Sequence, residues 1–359
     1  MKIGILTFHF AHNYGAMLQA YALQEVLRKY GYNAGIIDYE PEYHLKKFPS
    51  KITWRSCITS DPKTLIHNIG KKLLSYSYYE QRYESFIQFK KNRMHLFPYN
   101  DGFDGIGYDC IIVGSDQIWN PNLTRGKYDG MYFGKGFKCP VISYGASNQA
   151  IKLSEYDRQQ YSELMAGMKA IGVRETKLMD LLQPLTDKTI HVNLDPTLVA
   201  DKSIYDDFDS KAINKKYVLV YEIGTHNEVV NMAKTYAKQI SAQLVCLVGA
   251  ATYKNIHGFD LAAGPEEFVS YIRNAECVFT TSFHGTALSV INHKNFYSIR
   301  QNTAGDIRMV SLLGQLGLID RFIPMGSKPS GDAINYGAVV PKLEELRKES
   351  LQYLFDSLT

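Results

Sequence analysis

CVFTTSFHGTALSVINHK, residues 277–294, is the stretch whose reading decides the fold. An apolar run ends in Thr280, Thr281 and Ser282, and His284 and Gly285 then open an amphipathic helix. A short apolar strand passing at once into a helix is the repeating unit of a parallel sheet. At such a junction hydroxyls, backbone amides and the positive end of the helix dipole converge, which suits an anionic ligand. Thr281, Ser282 and Gly285 are therefore candidate ligand-binding residues. His284 is the candidate general acid or base, because imidazole is the side chain that ordinarily changes charge near neutral pH. The alternative is a capping or packing histidine.

The same grammar extends both ways from this stretch. Upstream lie YVLVYE (217–222), a helical pattern near 227 to 240, LVCLVG (244–249) and a helix opened by GPEEF; downstream lie FYSIR (296–300) and a helix ending near Leu316. An earlier series repeats it with KIGILTF, AMLQAYALQEVLRKYG, AGIIDY, DCIIVGS, VISYGAS and AIGVRE. Two such series predict an α/β chain of two Rossmann-like, doubly wound domains facing a cleft. We place the first at 1–200, with a basic, tyrosine-rich helical insertion at about 41–105, and the second at 201–330. Residues 201–216, DKSIYDDFDSKAINKK, have no apolar period and read as the linker, with their aspartates as solvated charge. The segment 331–359 ends in an amphipathic helix with no strand after it, free to return to the first domain.

Composition narrows the function. A net charge of +4 on 359 residues argues against a dedicated nucleic-acid binder. The five cysteines are odd in number and scattered, which fits reduced thiols and a cytoplasmic setting. No run approaches the roughly 20 apolar residues needed to cross a bilayer, so membrane contact is expected to be peripheral at most. Walker, dinucleotide-binding and Cys-x-x-Cys patterns are all missing, and His9 with His12 lacks a third ligand nearby, so we expect neither cofactor nor metal.

Ligands of parallel sheets sit beyond the carboxyl ends of strands, so residues there are the next candidates. After the first strand, Asn13, Tyr14 and Gly15 form a turn ahead of a helix; the alternatives are sugar hydroxyl binding or an ordinary cap. After DCIIVG come Asp116, Gln117, Trp119 and Asn120, a polar and aromatic group that matches a sugar's hydroxyls and apolar face. Asp116 is a candidate base for an acceptor hydroxyl; it can also be read as a helix cap, and Trp119 as core. Arg174, followed by Glu175, can grip a carboxylate or phosphate, or form an internal ion pair.

In order, HNYGAMLQAYAL, IIVGSDQIWNP, ISYGAS, GVRE, LDPTL, TTSFHGTALSVI and R-x-x-SLLGQLGLIDR resemble the polysaccharide pyruvyl transferase family across about residues 1 to 325. The resemblance implies a GT-B-like fold with the donor held largely by the second domain. It also implies phosphoenolpyruvate as co-substrate, no metal, and a saccharide acceptor, free or lipid-linked, modified at the inner face of the membrane. His284 looks like the family's catalytic histidine, Arg174 like its donor-binding arginine, and Asp116 like the acid of its Gly-Ser-Asp segment. Many members carry arginine two residues before the histidine, where this chain has Ser282. Arg308 or Arg300 is then expected to supply the missing charge. A nucleotide-sugar glycosyltransferase and a non-catalytic saccharide-binding protein are the alternative readings.

Overall fold

The apolar runs become strands buried on both faces, as a parallel sheet covered by helices requires. Ile3, Ile5, Leu6, Ile111, Ile112 and Val113 are all 0% exposed. The computed structural model describes residues 1–45, 80–150, 152–208, 213, 215–224, 227–248, 259–260 and 262–359. Residues 46–79, about half of the expected insertion, and Cys57 within them lie outside the described residues.

In the first sheet β1 (Lys2–Leu6), β2 (Asn33–Ile37), β3 (Leu96–Phe97), β4 (Cys110–Val113) and β5 (Val141–Ser143) run in the order β3-β2-β1-β4-β5, every pair parallel. Bridges between Ile142 and Ala170 and between Ala146 and Val173 continue it to β6 (Ile171–Val173), which pairs with β7 (Ile190–Val192). The helices of this half are α1 (Tyr14–Lys29), α2 (Glu42–Leu45), α3 (80–93), α4 (Glu155–Met165), α5 (Thr176–Leu182) and α6 (Pro196–Val199).

The second sheet holds β8 (Tyr217–Glu222), β9 (Gln243–Val248), β10 (Phe259–Asp260), β11 (Cys277–Thr280), β12 (Asn295–Arg300) and β13 (Phe322–Pro324). Their order is β10-β9-β8-β11-β12-β13, again all parallel. Its helices are α7 (Asn227–Gln239), α8 (Pro265–Asn274), α9 (Phe283–Ile291) and α10 (Asp306–Leu316), and α11 (Tyr336–Leu358) ends the chain. Two Rossmann-like units in tandem form the expected GT-B-like architecture.

Each strand order reverses once, between β1 and β4 in the first sheet and between β8 and β11 in the second. Such switch points open a crevice at the carboxyl ends of the strands. Here that means the turns carrying Asn13 and Asp116 on one side, and Ile223 and Ser282 on the other.

Helix α1 starts at Tyr14, two residues before its apolar period begins, because the Asn13 side chain accepts the backbone N–H groups of Gly15 (2.9 Å) and Ala16 (3.2 Å). The segment read as a solvated linker is more tightly held than its sequence suggests. Tyr205 and Phe208 are buried, Arg93 pairs with Asp207 and Glu266, and Arg273 lies 3.7 Å from Asp206. Helix α11 packs on the first unit. Tyr353 Oη donates to Ser143 O (2.7 Å), Ser350 Oγ accepts from Leu194 N (3.0 Å), and Arg347 Nε donates to Leu198 O (2.5 Å).

The two units also share one apolar core. Tyr14 of α1 is fully buried, stacks on Phe268 of α8 (4.5 Å between centroids, 13° between planes) and donates its hydroxyl to Ala263 O. Large apolar interfaces resist relative motion, so the cleft walls are held in fixed register. No described helix is long and apolar enough to cross a membrane.

Candidate active site

The two switch points face each other across a cavity of about 320 Å³. Asn13, Asp116, Gln117 and Gln149 line it from the first unit, and Thr281, Ser282, Phe283, His284, Gln301 and Arg308 from the second. A larger recess of about 750 Å³ opens between α3 and α8, but Glu80, Glu84, Glu266 and Glu267 wall it. Four carboxylates repel an anion, so the interdomain cleft is the candidate site.

Behind the cleft wall lies a buried ion network that crosses the domain boundary. Asp195, the N-cap of α6, is held by Thr197, whose backbone N (3.0 Å) and Oγ1 (2.6 Å) both donate to Oδ1. Its Oδ2 lies 3.1 Å from Arg174 Nη2 and 3.4 Å from His284 Nε2. Burial alone would push this carboxyl up, but Arg174 and then His284, with Thr197, hold it well below the usual carboxylate range. Arg174 Nη2 also donates to Ser115 Oγ. Asp195, Arg174 and Ser115 belong to the first unit and His284 to the second.

The guanidinium of Arg174 lies 5.1 Å from the centre of the Phe283 ring and that of Arg308 5.6 Å from it. Arg174 Nε and Nη1 and Arg308 Nε are buried and have no hydrogen-bond partner. Burial, and next the charge of Arg174, pull the Arg308 pKa down. Arg308 lines the cavity, whereas Arg174, expected from sequence to bind the donor, does not and stands in the network behind the wall. Both leave nitrogens unsatisfied near the Phe283 ring, which an anion would complete. Beside them Glu175 accepts from Ser147 Oγ (2.5 Å). Burial raises its pKa against the opposing pull of Arg174 and Ser147.

The structure sorts the remaining sequence candidates. Asp116 reaches the cavity from a left-handed turn (φ 68°), its Oδ1 accepting from Gln117 N (2.8 Å). Thr281 Oγ1 accepts from Ile223 N and keeps its proton to donate, whereas Ser282 Oγ caps Gly285 N at 3.4 Å and also engages the Tyr221 hydroxyl. Gly285 is a packing residue, since a Cβ there would come within 2.4 Å of Thr280 Oγ1.

Several candidates stand away from the cavity and correct the reading above. Trp119 is core: it is 1% exposed, stacks on Phe133 (4.9 Å, 6°) and donates Nε1–H to Tyr132 O. Asn120 spends its amide on Gln117 Oε1 and Asn122 N within its own loop. Tyr14 seals the domain interface, as described. Arg300 is exposed over the Phe322 ring, 5.0 Å from its centre, which leaves Arg308 as the second arginine of the site. His12 is held near pKa 4, first by burial and then by Arg82. His9 pairs with Asp38, and Asp38 and Glu40 share the single cation Lys90. The two carboxylates lie within 4.8 Å of the His9 ring nitrogen, so His9 has the neighbouring ligands that the sequence reading found missing.

Sequence reading passed over Asp195, Phe283, Gln149 and Gln301. Asp195 had a signal, an aspartate directly before Pro-Thr at the end of an apolar segment, but that signal announces a cap and not an ion pair to another domain.

The family model for polysaccharide pyruvyl transferase matches residues 13–303. The chain belongs to this family. The matched span begins at the Asn13 cap and ends at Thr303 on the rim of the cavity, so this polysaccharide pyruvyl transferase family member has most of the cavity lining inside it, with Arg308 just beyond. The family is one of transferases, and a sugar acceptor comes with it. No curated protein matches the chain.

Among solved structures, the UDP-N-acetylglucosamine 2-epimerase of Rickettsia bellii is similar at 10% identity, over 99% of this chain and 96% of that one, with a TM-score of 0.48. The UDP-GlcNAc 2-epimerase of Methanocaldococcus jannaschii, in complex with UDP-GlcNAc and UDP, is similar at 13% identity over 97% and 93%, TM-score 0.46. Arabidopsis thaliana UGT89C1 is similar at 10% over 99% and 98%, TM-score 0.46.

Proposed function

We propose that this transferase moves the pyruvyl group of phosphoenolpyruvate onto two hydroxyls of a hexose, forming a cyclic ketal and releasing phosphate. The observation that carries the reading is the set of three buried, unpartnered guanidinium nitrogens on Arg174 and Arg308, gathered around Phe283 next to His284. Each such donor costs about 1–3 kcal/mol if left unsatisfied. A donor carrying both a carboxylate and a phosphate has the acceptors to satisfy them, and Ser282 with the α9 N-terminus adds neutral donors.

In this reading His284 delivers a proton to C3 of the enol, and positive charge develops at C2. A sugar hydroxyl adds to C2 as Asp116 takes its proton. The C2–O bond to phosphate breaks, and a neighbouring hydroxyl of the same sugar closes the ketal, its proton passing to His284, which became neutral when it protonated C3. Asp195, ionised and fixed, stabilises the imidazolium before the proton leaves. Asn13, Gln117 and Gln149 line the acceptor side with amides able to read hydroxyls. We place the reaction in the cytoplasm, with a lipid-linked saccharide presented at the inner membrane face as the acceptor.

The test is phosphate release from phosphoenolpyruvate across a panel of galactosides, mannosides and glucosides, with mass spectrometry of the sugar. Release coupled to a product heavier by pyruvate less water is expected. No release with any acceptor, together with tight binding of a nucleoside diphosphate, would replace this reading with a glycosyltransferase.

A further inference from the structure

We propose that Asp195 and Gly15, both from the first domain, are positioning residues that fix the second domain's His284 so that Nδ1 is the nitrogen that hands over the proton. The proposal rests on the pyruvyl-transfer reading for the role of His284 itself.

Asp195 cannot turn away, because Thr197 holds Oδ1 with two hydrogen bonds and Arg174 sits on Oδ2. Its side chain is 0% exposed, and that of His284 is 7%. An ionised carboxylate only accepts, so the imidazole nitrogen facing it must carry hydrogen in both the neutral and the charged ring. That nitrogen is Nε2, which is buried, lies 3.4 Å from Asp195 Oδ2 and makes no hydrogen bond as it stands, a separation of the kind that tightens once substrate is bound. The proton that comes and goes is then the one on Nδ1, which has no hydrogen-bond partner among the described residues.

Gly15 sets the plane of the ring. A methyl group added at Gly15 would lie 1.9 Å from His284 Nδ1, 2.3 Å from Cγ and 2.6 Å from Cε1. Similar distances to Nδ1 and both its neighbours put that methyl over the face of the ring and not beyond its edge. The bare Cα of Gly15 is thus the floor on which the imidazole lies, with the Nδ1 edge free in its own plane. Any side chain at position 15 takes that space.

The first measurement uses the wild-type protein with ¹⁵N-labelled histidine, reading the His284 imidazole nitrogens by NMR at a pH where the ring is neutral. Nε2–H is expected; Nδ1–H would overturn the proposal without any variant. The second is Asp195→Asn. Thr197 keeps the amide oxygen on its side, so the NH₂ faces Nε2 and drives hydrogen to Nδ1. Loss of about 10²–10⁴-fold in kcat, with a smaller change in KM for phosphoenolpyruvate and a switched tautomer, is expected. Asp195→Asn with kcat within threefold of wild type, while His284→Ala is inactive, would sink the positioning role and leave the function standing. Full activity in His284→Ala would instead sink the reading on which the proposal rests.

Discussion

The turns β1–α1 and β11–α9 solve one backbone problem in the same way. Each leaves an apolar strand, caps its helix with a short polar side chain (Asn13 or Ser282), and places an aromatic residue first in the helix (Tyr14 or Phe283). They part at the second helical position, Gly15 in one and His284 in the other, and those two residues press against each other across the domain boundary. Tyr14 closes the interface with its ring and hydroxyl, whereas Phe283 has the guanidinium groups of Arg174 and Arg308 close to its ring. Equivalent backbone positions have thus been given complementary tasks: one domain supplies space and a carboxylate, the other an imidazole. Neither domain contains the site alone.

That comparison can be broken at either of the facing positions. His284→Ala is expected to lower turnover by about 10³-fold or more while calorimetric binding of phosphoenolpyruvate stays within a few fold, since the guanidinium groups remain. Gly15→Ala adds the smallest possible side chain to the other turn. Because its methyl would overlap the imidazole, about a 10²-fold fall in kcat is expected from displaced geometry alone, measured as phosphate release. Wild-type kinetics in Gly15→Ala would show that the two turns do not act as one unit.

The caps sharpen the same comparison on the stability side. Asn13→Ala removes the acceptor for two backbone N–H groups at the start of α1 and is expected to cost about 1 kcal/mol, read as a melting temperature lower by about 2 °C. The smallest effect is expected next to the network, at Glu175. Its folded pKa lies above the ordinary carboxylate value, so ionising it costs the fold stability. Wild type therefore loses this contribution as pH rises through and beyond the ordinary carboxylate range, whereas Glu175→Gln does not. The variant should melt with wild type near about pH 4 and slightly above it at about pH 8; the opposite trend would mean that Arg174 and Arg308 outweigh burial.

Much of this was legible because parallel strands buried on both faces must be apolar runs, and the polar residues directly after them must lie at the carboxyl edge. Asp116, Ser282 and His284 were found that way. Trp119 misled because an indole in a polar stretch looks like a sugar platform, while the Phe133 ring and Tyr132 carbonyl that bury it come from a later turn. Tyr205 and Phe208 anchor the linker as isolated aromatics, which leave no period to read. Asp195 was invisible as a site residue because its partner His284 lies in the other domain, and a cap is all that local sequence can announce. Arg300 and Arg308 could not be ranked from sequence, since only the packing of α10 against the cleft separates them.

The most direct test of the account is turnover in D₂O with the sugar product read by NMR. Delivery of a solvent-derived proton from His284 to C3 predicts one deuterium in the methyl group of each ketal, alongside one phosphate released. A sugar product without phosphate release and without deuterium in a methyl group would contradict it.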